Sequence, residues 1–235
     1  ISSRPNPNLR WEKTTTLNVG VDFALLGNRL NGSIEYYNKR GTDLLANTNG
    51  VPTEGWGYST YSINNGKMTN QGFELTLSGD VIRNNDWNWN ISGVLGYNKN
   101  KVTYINVSYL VIDYPTAYPR VGNPYNAIYG YQWAGLSETG TPQVYDAKGN
   151  LYTDMTPPEI EDLVYLGATV PVYNGSINTN WRCKNWELAA QFLFEGGHKM
   201  RNTNVAFISS GMGVVSKDIE NRWREPGDEA YTDVP

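Results

Sequence analysis

Histidine occurs once, at His198, and cysteine once, at Cys183. A single imidazole excludes a centre built from several histidine ligands, and a single thiol excludes an internal disulfide framework. No apolar run approaches the roughly 18 residues of a membrane-spanning helix. That leaves a barrel open, because barrel strands are only half apolar. Charge is also scarce, at 18% of residues and a net of -4. No basic stripe interleaves with aromatics, so the chain has no nucleic-acid footprint. The sequence has no initiator methionine and no signal peptide, and the expectation is an internal segment of something longer.

What is present is aromatic and turn-forming. There are 17 Tyr and 8 Trp against 5 Phe, together with 24 Gly. Amphipathic rings in this excess suit boundaries between wet and apolar surroundings.

The main signal is alternation. Leu17, Val19, Val21, Phe23 and Leu25 alternate with Thr16, Asn18, Gly20, Asp22 and Ala24. A turn at Leu26–Arg29 leads to Leu30, Gly32, Ile34 and Tyr36, which alternate with Asn31, Ser33, Glu35 and Tyr37. Successive strand side chains point to opposite faces, so this is a hairpin with one apolar and one polar face. The pattern recurs through Phe73 and Trp87 and again through Asn174 and Trp186. The expected strands are roughly 14–25, 30–40, 70–81, 87–98, 174–182 and 186–196, in one barrel domain over 1–235. Long loops are expected at 41–69, 99–173 and 198–235. Short turns therefore fall at one end of the strands and long loops at the other, as in outer-membrane barrels.

The aromatics follow the same axis. Trp87, Trp89, Trp181 and Trp186 flank short turns, while Tyr36, Tyr97 and Phe194 end strands before long loops. Two bands one strand apart match the girdles of a bilayer barrel; aromatic packing between two soluble sheets is the competing explanation. The expected fold is thus all-β: an antiparallel up-and-down transmembrane β-barrel segment, about six strands in three hairpins, and incomplete as a barrel. The alternative is a secreted soluble β-sandwich that binds glycans.

Within the second long loop, Gly140–Asn150 reads as a turn-rich ribbon. Thr156–Leu163 reads as a short helix start, with Thr156 as cap and acids in the first turn.

Catalysis and metal binding find little support. His198 follows Gly196-Gly197 at a strand end, where a solvated loop histidine is the ordinary case. Asp154, Glu159, Glu161 and Asp162 suit a helix start better than a calcium loop. No catalytic residue, metal ligand or cofactor is assigned. Loop aromatics are the candidate ligand contacts: Trp56, Tyr58 and Tyr61 in the first loop, and Tyr129, Tyr131 and Trp133 in the second. Rings beside Asn and Gln suit stacking on sugars or gripping peptides. The same rings also suit packing of the loops.

Several ordered segments carry a family resemblance. Asn6-Pro7-Asn8-Leu9-Arg10-Trp11-Glu12 resembles the N-P-x-L-x-W-E motif of SusC/RagA-type TonB-dependent transporters from the outer membrane of Bacteroidetes. Asn28-Arg29-Leu30, Ile34–Lys39 and Thr42-Asp43-Leu44-Leu45 are similar to the returning strand and its continuation. Asn64–Glu74 is similar to N-x-G-x-M-x-N-x-G-x-E, with Asn65-Gly66-Lys67 departing from the aliphatic residue common before that glycine. Tyr97–Val102, Tyr131–Leu136 and Arg222–Asp228 complete the series. The resemblance implies an importer of large nutrients, glycans above all, with a barrel of about 22 strands. It implies a plug domain outside these residues, a TonB complex reached through that plug, and a SusD-like surface lipoprotein over the extracellular loops. Further implications are contact with outer-membrane lipid, a glycan or peptide ligand, and no enzymatic activity.

Overall fold

In the computed structural model, the residues described are 6–50, 53, 55, 60–106, 119–153, 160–201 and 217–235. Four long strands open the chain: β1 (Lys13–Leu25), β2 (Leu30–Asn49), β3 (Thr60–Arg83) and β4 (Trp87–Ile105). Five short ones follow: β5 (Ala127–Gly130), β6 (Gln132–Leu136), β7 (Pro142–Tyr145), β8 (Leu151–Tyr152) and β9 (Val164–Ala168). Two more long strands, β10 (Tyr173–Cys183) and β11 (Trp186–Gly196), complete the set. The chain divides into two compact units, the first being Ile1–Asp113, Tyr118–Ala127 and Ala168–His198 and the second the remainder.

The first unit is one antiparallel sheet in the order β1-β2-β3-β4-β10-β11. Its registers carry the alternation across every strand. One row runs Val21, Ile34, Leu75, Leu95, Gly175, Phe194, and the row beside it on the same face runs Phe23, Gly32, Leu77, Gly93, Ile177, Phe192. The opposite face carries rows such as Asp22, Ser33, Thr76, Val94, Ser176, Leu193. The apolar face is open: Val21 is 62% exposed and Phe192 63%. A β-sandwich would bury those side chains against a second sheet. The six strands form a single layer, which corrects the sandwich alternative.

Short turns close each hairpin by local chemistry. Leu26, Gly27 and Asn28 adopt positive φ of 55°, 64° and 64°, which reverses the chain tightly. At the second turn the Asn84 side-chain oxygen accepts from the backbone N–H of Asp86 at 3.1 Å and of Trp87 at 2.7 Å. At the third, Lys184 stands at φ 51° and donates its backbone N–H to the Asp86 carbonyl at 2.9 Å.

The strands exceed the sequence expectation at the end away from these turns. β2 continues to Asn49, β3 begins at Thr60 and β4 runs to Ile105, so most of the expected 41–69 loop is a paired ribbon. Register shifts between Gly41 and Leu44, Leu44 and Leu45, and Lys67 and Met68 break the alternation there. A bulge reverses the facing of later residues while backbone pairing resumes, so the period vanishes although the strand does not.

The second unit contains small sheets, β5-β9 and β6-β7-β8. Its interior is formed by Ile128, Tyr129, Leu136 and Leu163, each buried. The expected ribbon at Gly140–Asn150 is β7 turning at Asp146 into β8. The expected helix start falls largely outside the described residues; Ile160–Asp162 forms one 3₁₀ turn.

Candidate functional site

Two aromatic rows bound the apolar face. At the short-turn end lie Trp87, Trp89, Trp181 and Trp186, with Trp87 edge-on to Trp181 at 5.2 Å. The Trp89 indole N–H donates to the Thr179 hydroxyl at 2.9 Å, which satisfies the ring's one polar atom. At the other end one row links Tyr36, Phe73, Tyr97 and Tyr173, with Phe73 and Tyr97 stacked at 5.5 Å. Along β4, the run from Trp87 to Tyr97 is roughly 33 Å, or about 25 Å of height at a tilt of about 40°. That is the height of the lipid-facing band of an outer-membrane barrel.

Two glycines on this face, Gly32 and Gly175, are covered by rings directly opposite. A Cβ at Gly32 would lie 2.6 Å from the Phe23 ring, and one at Gly175 would lie 2.6 Å from the Phe194 ring. Ring-over-glycine pairing fills the gap and pins register.

The polar face is hydrogen-bonded within itself. The Asn90 amide donates to Asp80 at 2.9 Å and Ser78 at 3.3 Å. Tyr37 donates to Asn98 at 3.0 Å, and Asn100 donates to Asn70 at 2.8 Å. Glu35 and Glu74 stand directly opposite one another on it. This face is the wall a polar lumen requires.

Beyond the upper aromatic row, segments far apart in sequence meet. Asn64 accepts the Arg10 backbone N–H at 2.6 Å and donates to the carbonyls of Arg10 at 2.7 Å and Asp43 at 2.6 Å. The Asp43 carboxylate pairs with Arg10 at 3.2 Å and Lys13 at 3.3 Å. Asp43 holds φ 56°, a conformation its short polar side chain tolerates. Glu12 accepts the Leu45 backbone N–H at 2.7 Å. The N-P-N-L-R-W-E run, the T-D-L-L run and the N-N-G-K-M run thus form one clamp on the β2–β3 ribbon.

Two hollows flank this ribbon. One, of about 730 Å³, is lined by Asn6, Asn8, Arg10, Tyr61 and Asn64. The other, of about 430 Å³, has Leu44, Lys67, Met68, Val102, Pro119 and Tyr125 among its lining residues. Tyr125 is held there by its backbone N–H, which donates to Asn100 at 2.7 Å. Sequence reasoning missed Leu44 and Met68, because the bulges erase the period that marks an inward position, and Tyr125, because it lies in a turn that has no period.

The six candidate rings separate. Trp56 and Tyr58 lie outside the described residues. Tyr61 lines the polar hollow of the first unit. Tyr129 is 1% exposed and packs edge-on against Tyr165 at 6.2 Å, with its carbonyl accepting from Arg201. It is core of the second unit and offers no ring face to a ligand, which corrects the sequence expectation. Tyr131, half-buried, joins β5 to β6. Trp133 is 44% exposed, but its indole N–H is engaged by Asp233 at 2.9 Å. In the same unit the Trp223 ring packs on Gly140, where a Cβ would come within 2.5 Å of it.

Anchored turns complete the second unit. Asp146 accepts from the Asn150 side chain at 2.9 Å, and from the backbone N–H groups of Asn150 at 2.7 Å and Lys148 at 2.9 Å. The Asn150 side-chain bond, foremost among these, holds the carboxyl below the ordinary range. Glu229 is lowered likewise, by its own backbone N–H and that of Gly227. Among the described residues, no three His, Cys, Asp or Glu side chains converge as a metal site.

A single antiparallel layer with a girdled apolar face and a bonded polar face defines a transmembrane barrel wall. The chain belongs to the TonB dependent receptor-like, beta-barrel family, whose model matches residues 1–227. It is similar to TonB-dependent receptor P3 of Formosa agariphila, 29% identical across 98% of this chain and 25% of that protein. TonB-dependent receptor P39 of the same organism is 38% identical across 93% of this chain and 21% of that protein. SusC of Bacteroides thetaiotaomicron is 37% identical across 43% of this chain and 10% of its own length. Among solved structures, the RagAB peptide transporter aligns with a TM-score of 0.79 and 27% identity over 100% of this chain and 27% of that one. The resemblance to the SusC/RagA type therefore holds. The chain spans about a quarter of the length of the first relatives. The family is one of outer-membrane transporters and receptors, not of enzymes.

Proposed function

We propose that this chain forms wall and rim of an outer-membrane importer of large nutrients, foremost glycans, driven by TonB through a plug. The observation that carries this reading is the band of about 25 Å between two aromatic rows, backed by a polar face. One side of the sheet meets lipid and the other lines the conduit. A SusD-like lipoprotein closes over the rim. The polar hollow sets Tyr61 beside Asn8, with Asn6 and Asn64 bonded to the surrounding backbone, and a tyrosine among polar groups is a setting that sugars use.

Peptide import is the second reading, supported by a different hollow. The cleft of Leu44, Met68, Val102 and Pro119, which Asn47 and Lys67 also line, is mainly apolar, which suits an apolar side chain better than a sugar hydroxyl. The RagAB complex, similar over the whole of this chain, is a peptide transporter.

The test is fractionation of the native host, followed by calorimetry on the purified transporter–lipoprotein complex with oligosaccharide and peptide pools. Recovery in the outer-membrane pellet with heat-modifiable migration is expected, with oligosaccharide binding weakened by Tyr61→Ala. Recovery as a soluble protein overturns the proposal. Peptide binding weakened by Met68→Asp, with oligosaccharides inert, replaces the glycan reading by the peptide one.

A further inference from the structure

Charge on the six-stranded sheet is sorted by sign between its faces. At paired positions the apolar face carries Lys13, Arg40, Lys67, Lys99 and Lys101, and no carboxylate at all. The acids Asp22, Glu35, Glu74, Asp80, Glu187 and Glu195 all occupy the other face. The outward cations are also sorted by height. Every one lies beyond the Tyr36–Phe73–Tyr97–Tyr173 row, on the side away from the short turns.

Register fixes their spacing. The first row past the aromatics runs Leu17, Asn38, Gln71, Lys99. The second runs Thr15, Arg40, Thr69, Lys101. Lys67 stands one step higher, its ammonium 5.4 Å from the centre of the Tyr104 ring. Each row adds about 5 Å of height, so the band occupies roughly the 5 to 15 Å above the interfacial rings. That is the depth of lipid headgroups, where long basic side chains reach phosphate while their stems stay along apolar surface.

Lys13 is engaged by Asp43 at 3.3 Å. Arg40, Lys67, Lys99 and Lys101 are exposed, and no carboxylate among the described residues lies within ion-pair distance of them. Four like charges on adjacent strands repel one another, and cross-strand repulsion opposes pairing. An anionic layer running along the band removes that cost.

We infer that the outward band of Arg40, Lys67, Lys99 and Lys101 holds phosphate groups of anionic lipid headgroups in the outer leaflet. The inference rests on the outer-membrane reading above. Continuity with the girdled apolar face selects lipid as the occupant: the same strands that meet acyl chains rise into the headgroup layer.

The test uses the intact transporter in phosphatidylcholine nanodiscs, supplied with lipid A or with lipid A stripped of both phosphates. Native mass spectrometry counts the lipid retained. The wild-type protein is expected to prefer the phosphorylated form by about tenfold or more. Joint Arg40→Gln, Lys67→Gln, Lys99→Gln and Lys101→Gln should abolish the preference while heat-modifiable migration persists. Replacing the three lysines by Arg should keep it, and so should Lys39→Gln with Arg182→Gln on the polar face. Equal retention by the Gln variant overturns the inference, as does an equal count for the dephosphorylated lipid. Release of lipid A by millimolar inorganic phosphate overturns lipid docking in favour of a free-anion site. Failure of the wild-type protein to insert into the nanodiscs at all overturns the membrane reading instead.

Discussion

Single side chains divide by the face they occupy, and substitutions should too. Val21→Arg or Leu77→Arg places a charge mid-height on the apolar face and should cost about 2–4 kcal/mol in urea unfolding from lipid vesicles. Asn18→Arg or Thr76→Arg, on the polar face, should cost far less; equal losses would argue against a barrel. Gly32→Ala and Gly175→Ala drive a methyl toward the Phe23 and Phe194 rings and, at 2.5 Å, toward the Thr76 carbonyl in the first case. Each should cost about 1–3 kcal/mol by overpacking, whereas Gly79→Ala, with nothing nearer than 3.7 Å, should be mild. Asp146 gives a pH signature. Its carboxyl binds protons less readily folded than unfolded, so its stabilisation is complete above the unfolded value and disappears as pH falls through the folded one. Protection of the Asp146–Asn150 turn, read as hydrogen exchange relative to the intrinsic rate at each pH, should therefore fall below about pH 4, and Asp146→Asn should flatten that response. An unchanged profile in the variant would assign the acid sensitivity elsewhere.

At the level of elements, the hairpins behave as period-2 units and their far ends do not. Strand facing in 14–25, 30–40 and 87–98 was legible because each residue's environment alternates with its neighbour's. The ribbon formed by residues 41–49 and 60–69 was not, because bulges decouple side-chain facing from sequence parity. The motif runs were legible as motifs, but their partnership was not. Asn64 bridges Arg10 and Asp43 across more than fifty residues of chain, and no local pattern encodes that contact. Asn64→Ala removes three hydrogen bonds at once and should loosen the ribbon by about 1–3 kcal/mol. Hydrogen exchange would show faster opening confined to β2 and β3 beyond Gly41, with the rows between the aromatic bands unchanged; uniform destabilisation of the sheet would refute the clamp. Among the candidate rings, sequence could not distinguish Tyr129, whose ring is core, from Tyr61, which lines a hollow. Both are tyrosines followed by a small residue, Gly130 or Ser62, and burial is a property of the packed unit rather than of the window.

Across the whole molecule, the six-stranded sheet leaves its apolar face exposed, so its stability depends on what surrounds it. In lipid the apolar face is satisfied and the polar face turns to a lumen; in water more than half of the Val21 and Phe192 surfaces remain exposed. Transfer from detergent to buffer should therefore bring aggregation rather than a soluble monomer, checked by light scattering on dilution. The all-β class, the three hairpins and the two aromatic bands can be read from the residues alone, because alternation and turn chemistry act between near neighbours, and ordered motifs give the family. How the motifs clamp the ribbon, which rings are buried, and that the outward charges at paired positions are all basic and stand above the girdle emerge only on folding. Those properties depend on register between strands and on bulges within them, and register is settled by pairing across the sheet.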